Sequence, residues 1–356
     1  MAEECFDLAV EGTTLKDIRL FNTSKSVIVV DKAQNYGTTY IKMKDLKDSP
    51  YISNFEVKFE SESIKGSDFT FVVESLPFFL SPTDNSVKLF SEKVMGDFIE
   101  YAKVENIFFI SESLVKIPTS KNDILKLEIS RNDKFYLNQA LAKADLSSLR
   151  EHFSDKTNPI YRALVDLAVF SDQDLRKISL NFGFSAFIYP VYGISEISES
   201  ACFRNSFRGT TYVLNKTLEY SEMCEDDEFR HLFTCELGTI RAKEYERQSL
   251  KPGKFYIRAI LSSKIKFNGI FLAFIELNKD ELALDFENPD SQDDKFVKVI
   301  GLDSSAHVCD KGLQVMYFIK RHSKIEDHEL KKLLIFESDI LIDLSFITKY
   351  DIDQFS

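Results

Sequence analysis

The sequence predicts an α/β protein. A β-rich α/β domain, residues 1–117 and 183–356, is split by a small helical domain at 118–182. Three observations carry that reading. The chain opens as strand, glycine turn, short helix and strand. From Ile124 to about Phe182 the apolar residues fall three and four apart, the spacing of one helical face. After Phe182, short runs rich in β-branched and aromatic residues return and continue almost to the end.

The elements follow in order. Residues 6–10 are a compact apolar run. Gly12 and two threonines come next, then a short helix over 15–20. Residues 27–30 are a continuous β-branched strand ending at Asp31, the kind buried on both faces of a parallel sheet. Residues 52–116 are mixed, with an alternating strand at 55–59 and another at 106–110. Around Pro118 the pattern changes. Ile160, Leu164, Leu167 and Ala168 share one helical face, as do Leu175 and Ile178 in the next segment. Asp172 is placed to cap that segment, because a carboxylate oxygen accepts from the free N–H groups at a helix start. Strands are expected at 211–214, 231–237, 254–261, 269–277, 296–302 and 313–319, and a helix at 327–334. The acidic cluster 225–228 reads as a solvated loop.

With 356 residues, 44% of them hydrophobic, the chain has enough apolar surface to bury a sizeable core. Its net charge of -12 repels phosphate backbones, so no nucleic-acid partner is expected and a basic partner is easier to accommodate. No hydrophobic region follows Met1, so no secretory leader is expected. No apolar run reaches the ~18 residues needed to span a bilayer. Cys5, Cys202, Cys224, Cys235 and Cys309 are scattered, with no CxxC pair, and read as reduced thiols of a cytosolic protein. The histidines show no metal-ligand spacing, so no metal is expected. No Ser/His/Asp or Cys/His arrangement supports a hydrolase. The last six residues lack cysteine, so the chain itself is not expected to be prenylated.

Strand, glycine turn, helix, strand and acidic residue is the order of a dinucleotide-binding unit. Asp31 follows Gly12 at about the twenty-residue distance at which a carboxylate meets a ribose hydroxyl. The loop departs from its fingerprint. Where G-x-G-x-x-G is needed, the chain reads Gly12-Thr13-Thr14-Leu15-Lys16-Asp17. Thr14 puts a Cβ where backbone must approach a pyrophosphate. Asp17 replaces the glycine of close helix–strand packing and sets negative charge where phosphate would bind. A dinucleotide-like fold with no bound FAD or NAD is therefore expected. Asp31 is read as a strand-end residue bonding a loop, with ribose recognition as the alternative.

Two stretches carry a resemblance. Phe6-Asp7-Leu8-Ala9-Val10-Glu11-Gly12-Thr13, with Val30-Asp31-Lys32-Ala33-Gln34-Asn35-Tyr36-Gly37, is similar to the first signature of the Rab escort protein and Rab GDP-dissociation inhibitor family. Tyr189-Pro190-Val191-Tyr192-Gly193-Ile194-Ser195-Glu196-Ile197, with Arg208-Gly209-Thr210-Thr211-Tyr212-Val213-Leu214-Asn215-Lys216, resembles the second. Ile117-Pro118-Thr119-Ser120-Lys121-Asn122-Asp123-Ile124-Leu125 resembles an escort-branch pattern. So does Val297-Lys298-Val299-Ile300-Gly301-Leu302-Asp303-Ser304-Ser305 with Cys309-Asp310-Lys311-Gly312. The resemblance implies a flavoprotein-like (FAD/NAD(P)-binding-like) domain without flavin and a helical domain shorter than usual. It implies a non-enzymatic partner of GDP-bound Rab GTPase that serves vesicle traffic. As an escort protein it would present Rab to the Rab geranylgeranyltransferase catalytic dimer and shelter the geranylgeranyl lipid. As a GDP-dissociation inhibitor it would extract prenylated Rab from membranes. Both place it in the cytosol with transient peripheral membrane contact. A flavin-dependent oxidoreductase of the same fold, and a diverged interaction protein that ignores Rab, are the rivals.

The resemblance assigns Rab binding to Tyr36, Glu196, Arg204, Tyr212 and Val213. Tyr36 matches the second tyrosine of Y-Y-G-G, Glu196 the acid of G-E-L-P, and Tyr212 and Val213 the pair after the glycines. The family arginine falls on Phe203, with Arg204 one step later. Tyrosine offers large rigid area with a polar tip, and a carboxylate fixes orientation by charge-assisted hydrogen bonds. Tyr189 and Tyr192 read as strand-packing aromatics. Other departures are Ser195 for a glycine, Ser198-Glu199 for Pro-Gln, and no arginine around Ser67-Asp68-Phe69. The helix at 131–142 resembles the one that docks the transferase, but the expected phenylalanine is Ala140. Docking then falls to Phe135 and Tyr136, which equally suit a helical core.

Overall fold

The computed structural model describes residues 3–12, 20, 25–37, 39–40, 43–62, 71–84, 87–88, 99–143, 145–153, 158–170, 172–183, 185–223, 231–235, 238–247, 252–264, 267–277, 296–321, 323–333 and 339–350. The departed fingerprint loop with its short helix, the acidic cluster and the stretch around Ser67 lie outside the described residues.

The chain begins with β1 (Glu3–Glu11), β2 (Val27–Asp31), β3 (Thr39–Tyr40), α1 (Met43–Lys47), β4 (Ile52–Glu60), β5 (Val73–Glu74), β6 (Tyr101–Ile110) and β7 (Leu114–Lys116). Helices α2 (Lys121–Lys126), α3 (Arg131–Lys143), α4 (Leu146–Phe153), α5 (Pro159–Phe170) and α6 (Asp172–Leu180) follow. The remainder is β8 (Ile188–Pro190), α7 (Ser195–Ser206), β9 (Thr211–Leu214), β10 (Glu219–Met223), β11 (His231–Cys235), β12 (Gly238–Arg247), β13 (Pro252–Ser262), β14 (Ile270–Glu276), β15 (Phe296–Asp303), β16 (Gln314–Lys320), α8 (Asp327–Lys332) and β17 (Ile340–Tyr350). The expected strand over 231–237 is thus His231–Cys235, paired antiparallel with β12, and α7, β10, β12 and β17 are elements the sequence reading did not contain.

The first sheet has the order β10-β11-β12-β1-β2-β9. Strands β12, β1, β2 and β9 run parallel, as βαβ units require, and β11 and β10 add an antiparallel hairpin. Every residue of β2 is buried. Its side chains alternate: Ile28 and Val30 pack with Phe6 and Phe233 on one face, Val27 and Val29 with Leu8 and Val10 on the other.

The second sheet has the order β4-β17-β13-β16-β15-β14-β6-β7, with β8 beside β6. Helices α2 to α6 lie on one of its faces and do not form a separate core. Leu137, Leu141, Phe153, Leu164, Leu175 and Ile178 share one cluster with Leu272, Ile300, Tyr317 and Leu344 of the sheet. Ion pairs close the seam, Arg162 to Glu276 at 3.1 Å and Lys298 to Asp174 at 3.0 Å. On the opposite face, Leu330 and Leu333 around α8 cover Ile260, Phe271, Val299 and Phe318.

Candidate functional site

The site forms where the loop after β2 meets the start of α7. Glu74 on β5, fully buried, organises that start. Its Oε1 accepts from the Tyr189 hydroxyl at 2.9 Å and from the Ile194 N–H at 2.7 Å. The Glu74 N–H in turn donates to the Tyr317 hydroxyl at 3.0 Å. Burial, with the Glu74 charge beside them, pushes both tyrosine hydroxyls well above their ordinary value, so they remain donors. Glu74 therefore ties β8 to the turn that leads into α7.

A second tie comes from β2. Asp31 is buried; its Oδ1 accepts the Ala33 N–H at 2.8 Å and its Oδ2 accepts from the Tyr51 hydroxyl at 3.3 Å. The Asn215 N–H, just past β9, donates to the Ala33 carbonyl at 2.9 Å. The loop then reaches Gly37 at φ +71°, seated directly on the first residue of α7. A Cβ there would lie 2.6 Å from Ser195 Oγ and 3.0 Å from its Cα. This close approach sets Tyr36 against α7. Its ring meets Tyr212 edge to face, with centroids 5.9 Å apart, and Asn205 Nδ2 donates to the Tyr212 hydroxyl at 3.0 Å.

Helix α7 turns Ile197, Ser198, Ala201, Cys202 and Asn205 inward. Its other side walls a cleft of about 520 Å3 lined by Tyr36, Glu196, Glu199, Phe203 and Arg204, among others. Burial raises the Glu196 carboxyl above its ordinary value, and burial together with the Glu196 charge raises Glu199. Glu199 reaches solvent, which tempers the effect. A carboxyl whose folded value lies above its unfolded one holds its proton more tightly when folded. Its contribution to stability falls as pH rises above the ordinary glutamate value of about 4.3. Glu199→Gln is therefore expected to raise the urea midpoint at neutral pH and to leave it unchanged near pH 3. A lower midpoint at neutral pH would show that Glu199 is stabilised rather than strained.

The structure gathers Tyr36, Glu196 and Arg204 around one cleft, with Tyr212 behind Tyr36. It does not bring Val213 to them. β9 alternates like any strand, so Tyr212 packs on the Val27 and Val29 face while Val213 packs on the Phe6 and Phe233 face. Tyr189 is buried as expected, but Tyr192 is not a packing aromatic. It is 55% exposed at φ 75°, its ring 4.9 Å from that of His307. Phe135 and Tyr136 part company on α3. Phe135 is 71% exposed, whereas Tyr136 stacks on His152 at 3.7 Å and donates its hydroxyl to the Ser148 carbonyl at 3.0 Å, joining α3 to α4. Glu74 and Phe207 escaped sequence reading altogether. A buried acid and an exposed aromatic look alike in a sequence without a periodic frame.

A bound dinucleotide would need strand-end acceptors and a phosphate cradle. Asp31 is already engaged by Ala33 and Tyr51. Glu11, at the end of β1, accepts from the Tyr245 hydroxyl at 2.6 Å and lies 3.4 Å from Arg247 Nε. Both strand-end carboxylates are thus engaged by protein partners rather than open to a ribose, and the phosphate-loop residues after Gly12 lie outside the described residues. Among the described residues no cluster of His, Cys, Asp and Glu suits a metal ion, and no helix is long and apolar enough to cross a membrane.

The sequence matches no family model and no curated protein. The structure is similar to a Rab GDI from Plasmodium falciparum, with a TM-score of 0.67 and 16% identity, covering 98% of this chain and 90% of that one. It is also similar to an oxidoreductase from Methanosarcina mazei, TM-score 0.56 and 12% identity over 97% and 89% of the two chains. A protein from Pyrococcus furiosus aligns at TM-score 0.51 and 11% identity over 95% and 87%. The chain is thus an α/β protein of the flavoprotein-like fold that a Rab GDI and an oxidoreductase share.

Proposed function

We propose that this protein is a non-enzymatic Rab GTPase chaperone that binds Rab in its GDP-bound state and presents it for geranylgeranylation. One observation carries the reading. Tyr36, from the loop after β2, and Glu196 and Arg204, from α7 about 160 residues further along the chain, line a single cleft, at positions the resemblance assigns to Rab. The fold shared with a Rab GDI supports it. A binder reads nucleotide state simply by fitting one switch conformation better than the other. It performs no bond chemistry. It holds the GTPase while the separate catalytic dimer, docked through the exposed Phe135, modifies the cysteine-bearing tail. Each CH₂ of a geranylgeranyl chain gains about 0.8 kcal/mol on leaving water, so the product needs shelter in the cytosol until it reaches a membrane.

A second reading, extraction of prenylated Rab from membranes by a GDP-dissociation inhibitor, is favoured by the likeness to a Rab GDI. Reconstituted prenylation separates the two. GDP-loaded Rab, catalytic dimer and lipid donor are mixed with this protein or without it. Lipid transfer that depends on this protein, and is lost with Tyr36→Ala or Glu196→Ala, is expected. A Rab complex on gel filtration without transfer would move the assignment to the inhibitor. Absence of both transfer and a Rab complex would overturn the proposal.

A further inference from the structure

We infer that Phe203, on the cleft wall, and Phe207, beside it at the end of α7, form an apolar anchor, and that the partner lays along α7 an extended segment carrying a cationic side chain two or three residues from a large apolar one. This rests on the GTPase reading of the same cleft and names what fills it.

Phe203 is 57% exposed and Phe207 76%, yet their rings meet edge to face with centroids 4.8 Å apart. Two adjoining solvent-facing phenyls are an apolar patch that asks for a cover. Their position supplies the chemistry of that cover. Glu196, Glu199, Phe203 and Phe207 recur at steps of three and four, so they form one line along the helix. The line is acidic at the start of α7 and aromatic at its end. Phe203 stands about 6 Å along the axis from Glu199 and about 10 Å from Glu196. An extended segment advances about 3.3 Å per residue, so a cation on the acids and an apolar side chain on the phenyls sit two or three residues apart.

Charge complementarity selects a foreign segment over a second copy of this chain. The chain carries -12 overall, and burial already raises both glutamates. Two α7 faces packed together would bring four carboxylates into one interface, where like charges oppose association. A cation from a partner relieves the same strain.

The test uses the full chain and a panel of GDP-loaded Rab GTPases, titrated calorimetrically. The variants are F203S/F207S and the conservative F203L/F207L. Both rings face solvent, so circular dichroism and Tm are expected to be unchanged. The serine variant is expected to bind at least about tenfold more weakly, with a less negative heat-capacity change, and the leucine variant to recover most of the loss. Wild-type affinity in the serine variant overturns the anchor and leaves the GTPase reading intact. A wild-type chain that binds no member of the panel overturns the GTPase reading instead. Synthetic peptides with lysine or arginine two or three residues from phenylalanine or leucine then judge the anchor separately. Binding lost in the serine variant supports it, and no binding overturns it. A wild-type dimer in sedimentation that the serine variant loses assigns the pair to a second copy and also overturns it.

Discussion

Arg258→Ala is expected to cost about 3–5 kcal/mol of stability, the largest single loss among the changes considered. Arg258 sits in the middle of β13, 4% exposed. Its Nε and Nη2 donate to the two carboxylate oxygens of Asp343 on β17, at 2.9 and 2.5 Å. Its Nη1 lies 2.6 Å from Asp327, the first residue of α8. Burial opposes the guanidinium charge, yet the two carboxylates hold its pKa above the ordinary value. Removing the arginine strands Asp343, itself 4% exposed, without a counter-charge, and releases the start of the helix that covers this face. Urea unfolding at neutral pH reads the loss. Arg258→Met combined with Asp343→Leu is expected to recover most of it, because two matched apolar groups need no hydrogen bonds. A loss below about 1 kcal/mol in the alanine variant would mean that water already reaches the pair.

Gly37→Val is expected to weaken binding of the proposed Rab partner by about a hundredfold or more, while costing about 2–3 kcal/mol of stability. Two effects add. Gly37 has φ +71°, which a β-branched residue resists, and the new Cβ would press within 3.0 Å of the Ser195 backbone. The loop must lift off α7, and Tyr36 lifts with it. Gly312→Ala is the control. It also has a left-handed φ, +88°, but meets nothing within 4 Å, so a loss of about 1 kcal/mol with unchanged affinity for the proposed Rab partner is expected. Equal binding by Gly37→Val and wild type would show that the loop does not set the cleft.

Much of the first sheet was legible in the sequence, because parallel strands such as β2 are apolar on both faces and carry their own signature. The helices on the second sheet were legible for the opposite reason: Leu164, Leu167 and Ile160 mark one stripe. Helix α7 was not. Its inward face includes Ser195, Ser198 and Asn205, so no apolar stripe shows, and two phenylalanines sit on the wrong side. Strand β12, with Arg241, Lys243, Glu244, Glu246 and Arg247, reads as a polar segment. It is a strand because it pairs with β1 and β11, contacts that no local pattern reports. Tyr36, Glu196 and Arg204, which line one cleft, were proposed through motif resemblance, which fixes positions but not faces. Val213 was included for that reason, and strand alternation places it on the opposite face from Tyr212.

The merged core of α2 to α6 and the nine-stranded sheet gives the molecule the character of a ruler. Because side chains of α2 to α6, of the sheet and of α7 (Ile197, Ala201) share one buried cluster, the face bearing Phe135 and the cleft beside α7 are tied to a common core. Any assembly that engages both must match the spacing between them through its own slack. The second contact then forms at a local concentration governed by tether length, negligible when the tether is too short to span and falling again as it grows too long. If the proposed GTPase reading holds, two GTPases with identical switch surfaces but tails of different length would be served unequally.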